Sequence, residues 1–130
     1  MKATELMIGD WVCLKDDTKC EFPLKVDGVL TDDISLEGEG FLGGVDGLIR
    51  PIPLTAEILE KNGFIKVNSQ RYDYGYPDTD CYVKVNPKKN MIHVNGRNAN
   101  SNLYSHSFVH ELQRALRLCG LNELADNFKV

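Results

Sequence analysis

Cys81-Tyr82-Val83-Lys84-Val85-Asn86-Pro87-Lys88-Lys89-Asn90-Met91-Ile92-His93-Val94 decides the fold class. Its two ends are short runs of apolar and β-branched residues, which suit a pleated, half-buried strand. Between them stands Asn86-Pro87-Lys88-Lys89-Asn90. Pro87 presets the φ of a first turn residue, and Asn90 tolerates unusual φ values. A strand, a tight turn and a returning strand make an antiparallel hairpin. Upstream, Phe64-Ile65-Lys66-Val67 begins another strand, and Arg71-Tyr72-Asp73-Tyr74-Gly75-Tyr76 alternates polar residues with tyrosine. The expectation is a meander of about three strands, followed by a polar loop from Asn98 to Ser105.

A helix comes next. Phe108, Val109, Leu112, Ala115, Leu116 and Cys119 recur at helical spacing on one face, with Ser105 or Ser107 as the expected cap. Gly120 stops it, Leu121 is placed to close a Schellman contact, and Asn122 is expected to cap one last turn. This helix should cover one face of the meander. Ahead of the meander in sequence, Leu54 to Phe64 reads as a two-turn helix. Thr55 is its cap, Glu57 and Lys61 complement the dipole, and Gly63 ends it.

Working back to the start, Trp11-Val12-Cys13-Leu14, Pro23 to Leu30, Ile34 to Glu37 and Ile49 to Leu54 read as short strands. The stretch holding Gly38, Gly40, Gly43, Gly44 and Gly47 reads as a structural loop. It lacks a phosphate-cradle pattern, and Glu37, Glu39 and Asp46 would repel phosphate. The fold class is α+β. Residues 1–54 form a small β-barrel-like lobe. Residues 55–130 form a helix, a three-stranded antiparallel meander and a C-terminal helix, packed on the first lobe.

The chain has 130 residues and a formal net charge of −4, with ordinary apolar content. That fits a globular protein and disfavours a surface that is basic all round. No apolar run approaches the ~18 residues of a membrane span. Met1 to Leu6 lack an apolar stretch, so no secretory signal is expected and the cytoplasm is the expected compartment. The charge is uneven. Residues 1–54 hold five basic and eleven acidic side chains, a balance of −6, whereas residues 55–130 hold ten and eight, a balance of +2.

Cys13, Cys20, Cys81 and Cys119 form no C-x-x-C pair, so free thiols are expected, with Cys13 and Cys119 as small buried hydrophobes. His106 and His110 share a helix face if the helix starts at Ser105, which makes them weak metal candidates, without the glutamate of H-E-x-x-H between them. Asp73, Asp78 and Asp80 lack the register of a calcium loop. Tyr72, Tyr74 and Tyr76 point to one strand face. They either cover the core edge under the last helix or form an exposed stripe. With Lys84, Lys88, Lys89 and Arg97 nearby, that stripe is the candidate interaction surface, for a peptide or for single-stranded bases. No catalytic residue, metal or cofactor is assigned.

Two resemblances add to this reading. Four or five short strands opening on Ile8-Gly9-Asp10-Trp11-Val12 resemble a small barrel of the Src-homology-three or ribosomal KOW type. Ile52-Pro53-Leu54-Thr55, Asn62-Gly63-Phe64 and Phe108-Val109-His110-Glu111-Leu112-Gln113 resemble a family of small uncharacterised Bacteroidales proteins, often prophage or mobile-element associated. That family implies no reaction, cofactor or ligand. The expected function is a non-enzymatic interaction or accessory protein with a protein partner or self-association. The alternative is weak nucleic-acid binding through the second lobe.

Overall fold

The computed structural model describes residues 5–31, 33–43, 48–75, 81–96, 99–104 and 108–130, with backbone only for residues 41–43, 81, 96 and 99–104. The chain divides into two compact units, Met1–Ile52 and Pro53–Val130. The protein is mixed α+β. No helix among the described residues is long and apolar enough to cross a membrane.

The first unit is one antiparallel sheet. Its strands are β1 (Trp11–Leu14), β2 (Leu24–Val29), β3 (Asp33–Leu36), β4 (Gly40–Gly43) and β5 (Ile49–Arg50). They lie in the order β4-β3-β2-β1-β5. Leu6, Val12, Val26, Ile34, Leu36 and Ile49 form the core, with Leu14, Leu24 and Val29 packed against it. Removing each fully buried aliphatic side chain from water contributes roughly 1.5–3 kcal/mol before entropy is counted. A bulge between Val26 and Gly28 shifts the β2–β3 register. The core alternation therefore passes from Val26 to Val29 rather than to Gly28.

Three expectations for this unit are corrected. The glycine-rich stretch is not all loop, because Gly40 to Gly43 pair with β3 through Leu36↔Gly40 and Asp33↔Gly43. Backbone pairing to a formed neighbour outweighs the weak strand preference of glycine. The expected last strand, Ile49 to Leu54, stops at Arg50. Pro51 and Pro53 lack the donor that a longer ladder needs. The sheet is also open among the described residues, with β4 and β5 at its two edges.

Among the described residues, the second unit holds a five-stranded antiparallel sheet and three α-helices. Its elements are α1 (Ala56–Lys61), β6 (Ile65–Lys66), β7 (Tyr72–Gly75), β8 (Cys81–Asn86), β9 (Met91–Gly96), β10 (Ala99–Tyr104), α2 (Val109–Leu118) and α3 (Asn122–Asp126). The strands follow chain order, β10-β9-β8-β7-β6. The quoted hairpin forms as expected, from Cys81↔Gly96 to Asn86↔Met91. The Asn86 side chain accepts from the Lys89 N–H at 3.2 Å. Asn90 takes the left-handed conformation at φ 51°.

Here the meander is longer than expected. Residues 99–104, read as loop, pair with β9 along six positions. An asparagine-rich strand shows no apolar alternation, yet an edge strand needs only backbone partners. Val83, Val85, Ile92 and Val94 are buried on one face of the sheet, in register with Tyr72 and Tyr74. Helix α2 packs against β9.

The helix boundaries follow local chemistry. Thr55 caps α1, accepting from the Ile58 N–H at 3.2 Å, and Gly63 ends it at φ +86°. Helix α2 begins at Val109, not near Ser105. Phe108 is extended, bridges Pro53, and gives its N–H to the Glu111 carboxylate at 3.2 Å. Gly120, at φ +82°, ends α2, and the Leu121 N–H closes back on the Leu116 carbonyl at 2.8 Å. Asn122 is the first residue of α3 rather than its cap, which is Leu121.

Candidate functional site

In the second unit, β7 sets Tyr72 and Tyr74 on the buried face. Tyr72 is only 6% exposed. Tyr74 is half-buried, with its ring 5.4 Å from that of Phe64 and its edge 3.5 Å from where a Cβ on Gly63 would sit. These two rings therefore belong to the core edge and to the end of α1, and they do not form an open stripe. Tyr76, Arg97 and His106 lie outside the described residues.

The opposite face of the same sheet carries a charged network. The Arg71 Nε and the Asp73 Oδ1 are 3.0 Å apart, and Arg71 Nη2 donates to Asp73 Oδ2 at 3.1 Å. The Tyr82 hydroxyl donates to Asp73 Oδ2 at 2.6 Å. Lys84 holds its ammonium 5.2 Å from the centre of the Tyr82 ring. Burial, and then the bond to Asp73, pushes the Tyr82 phenol above its ordinary value. Asp73 and Tyr82 are both buried, so this network ties strands together. The turn beyond it, with Lys88 and Lys89, is solvent-facing.

His110 is also inside. It is 6% exposed on α2, with its ring stacked 6.0 Å from Phe108. His106, the other residue of the metal expectation, lies outside the described residues. Gln113, fully buried on the same helix, donates to the Ala125 carbonyl at 3.0 Å and so holds α3 to α2. Asn62 works similarly. Its amide donates to the Ile58 and Lys129 carbonyls, and its oxygen accepts from the Lys129 N–H, each at 2.8 Å. That clamp keeps the C-terminal Phe128 buried at 1% exposure.

In the first unit, the loop between β1 and β2 is built by Asp17. Its two carboxylate oxygens accept from the N–H groups of Glu21 at 2.9 Å and Phe22 at 2.8 Å. Those bonds from Phe22 and Glu21, with a smaller pull from Arg50, hold the Asp17 carboxyl below its ordinary value. Arg50 also donates to the Asp17 carbonyl. The loop turns back so far that Cys20, at φ 50°, meets Cys13 with their Cα atoms 5.7 Å apart. The two are joined in a disulfide, which corrects the expectation of free thiols there. Cys119 is buried and takes no part in a disulfide.

Cys13, Asp17 and Cys20 bring three donor atoms within 4.8 Å of one another. The thiols are already bonded to each other, and both Asp17 oxygens already accept backbone hydrogens.

The same loop walls a cleft of about 470 Å³, within the size range of ligand sites. Leu14, Phe22 and Leu24 give it an apolar lining, and Asp16, Asp17 and Glu39 give it three carboxylates. Phe22 is 73% exposed, the highest value among the large hydrophobic residues whose side chains are described. Sequence reading passed over this site because its residues come from a charged turn, a strand and the glycine-rich stretch. Phe22 beside Asp16-Asp17 was the one available signal. No family model, curated protein or solved structure matches the chain.

Proposed function

We propose that this protein is a non-enzymatic interaction protein, of the accessory kind found in phage and mobile-element systems, acting on a polypeptide partner or a second copy of itself. The observation that carries this reading is the cleft of the first unit. An exposed phenylalanine beside a concave apolar lining is an arrangement that gains from being covered. Three carboxylates around it select for a cationic group rather than for an apolar surface alone. Five short antiparallel strands are consistent with a small Src-homology-three or KOW-like binding unit, whose loops present such a surface.

The test is purification at native expression from the native cell, with wild type beside a Phe22→Ala variant. The expected result is a stoichiometric polypeptide or a self-assembly present with wild type and lost with Phe22→Ala. Recovery of a lone monomer from wild type would remove the reading.

A further inference from the structure

The chemistry of the cleft is specific enough to name an occupant. A lysine side chain has a four-carbon stem that covers apolar surface and an ammonium that stays with carboxylates. Leu14, Phe22 and Leu24 suit the stem, and Asp16, Asp17 and Glu39 suit the ammonium. Asp16 and Glu39 are exposed, and neither has an ion-pair partner among the described residues. The loop's own Lys15 and Lys19 do not line the cleft.

The second unit carries a complementary group. The β8–β9 turn projects Lys88 and Lys89, both exposed and without ion-pair partners among the described residues. The turn is held in shape. Pro87 opens it, the Asn86 side chain accepts from the Lys89 N–H, and Asn90 closes it in the left-handed conformation. A preorganised pair of lysines loses less freedom on docking than a flexible basic tail would. The charge balances of −6 for residues 1–54 and +2 for residues 55–130 favour the same pairing.

We propose that the Pro87–Lys89 turn of one copy docks into the Asp16–Phe22–Glu39 cleft of a second copy. This rests on the cleft being the binding surface, and adds that its occupant is the protein's own basic turn. Two reciprocal contacts close a dimer, whereas one contact per copy lets chains extend. The contact is small and charged, so association is weak and sensitive to salt.

The test is sedimentation of the full chain over a concentration series, with two charge-reversed variants. Wild type should gain mass with concentration, and its apparent dissociation constant should rise at least about tenfold from low to high salt. Lys88→Glu with Lys89→Glu should be monomeric alone, because an acidic turn meets an acidic cleft. Asp16→Lys with Glu39→Lys should be monomeric alone, because a basic turn meets a basic cleft. Mixed in equal amounts, the two should associate, since each turn then finds an opposite cleft. All four positions are exposed, and circular dichroism checks that folding is retained; Glu39→Lys alone replaces the double variant if it does not fold.

A second arm titrates a synthetic peptide spanning residues 85–92 into the chain. If the peptide binds the cleft but wild type stays monomeric, the occupant is overturned and the cleft reading stands. If neither the peptide nor a second copy binds, both fall. If wild type stays monomeric and the turn instead retains single-stranded DNA, lost with Lys88→Glu and Lys89→Glu, the turn belongs to nucleic acid and the proposal is overturned.

Discussion

Among the described residues the two sheets are both five-stranded and antiparallel, yet they are held by different chemistry. The first has no described α-helix, and its longest connection between paired strands is organised by a disulfide and one carboxylate, Asp17. The second is covered by α2 and secured by buried amides, Asn62 and Gln113, and by the Arg71–Asp73–Tyr82 network. The difference shows where each can spare surface. In the second unit, polar side chains that look available for chemistry are turned inward to join elements. In the first, one covalent tie and one aspartate fix a loop, which leaves Phe22 and two carboxylates facing solvent.

That contrast is breakable at named residues. The largest effect is expected in the second unit, from Gln113→Ala. It opens a cavity in the α2–α3 packing and leaves the Ala125 carbonyl buried without its donor, costing about 2–4 kcal/mol. Denaturant unfolding measures the cost, and hydrogen exchange should show it at α2 and α3 amides. Next comes Cys20→Ser in the first unit. Losing a disulfide across so short a loop costs about 2–3 kcal/mol by chain entropy. The loss should be reproduced in wild type by reductant and be absent for reductant added to Cys20→Ser. If Cys20→Ser leaves the midpoint unchanged, the covalent half of the contrast is wrong.

A smaller effect is expected at Thr55→Ala, about 1 kcal/mol, from loss of the α1 cap. Thr55→Ser should restore most of it. The last prediction concerns acid. The folded state holds Asp17 below its ordinary value, so its contribution is present above the unfolded carboxylate pKa. It is lost as pH falls through the lowered folded value. Asp17→Asn should flatten that part of the acid unfolding curve. A variant curve of unchanged shape would show that the Asp17 turn carries no acid sensitivity.

What could be read beforehand divides along the same line. The hairpin around Pro87, the Thr55 cap and the Gly63 and Gly120 stops were legible, because each depends on local backbone chemistry carried by one residue type. The apolar face of α2 was legible from its period. Strands β4 and β10 were not, since glycine and asparagine have poor strand preference and only an already formed neighbour supplies their partners. Gln113 was hidden beside Leu112 as an ordinary polar residue, because its carbonyl partner arrives from α3. Cys13 and Cys20 were hidden for a related reason. Their spacing follows no redox or metal pattern, and only the turn imposed by Asp17 brings them together. The cleft depends on that same turn, so the candidate site fell on the tyrosines instead.

The central claim is that the working surface lies on the acidic cleft of the first unit. The most direct measurement is an amide chemical-shift map of the full chain as the peptide spanning residues 85–92 is added at low salt. Saturable shifts centred on Leu14, Asp16, Phe22, Leu24 and Glu39, reversed by salt, are expected. Saturable shifts on the Arg71–Asp73–Tyr82 face with none at these residues, or no shifts at all, would contradict that claim.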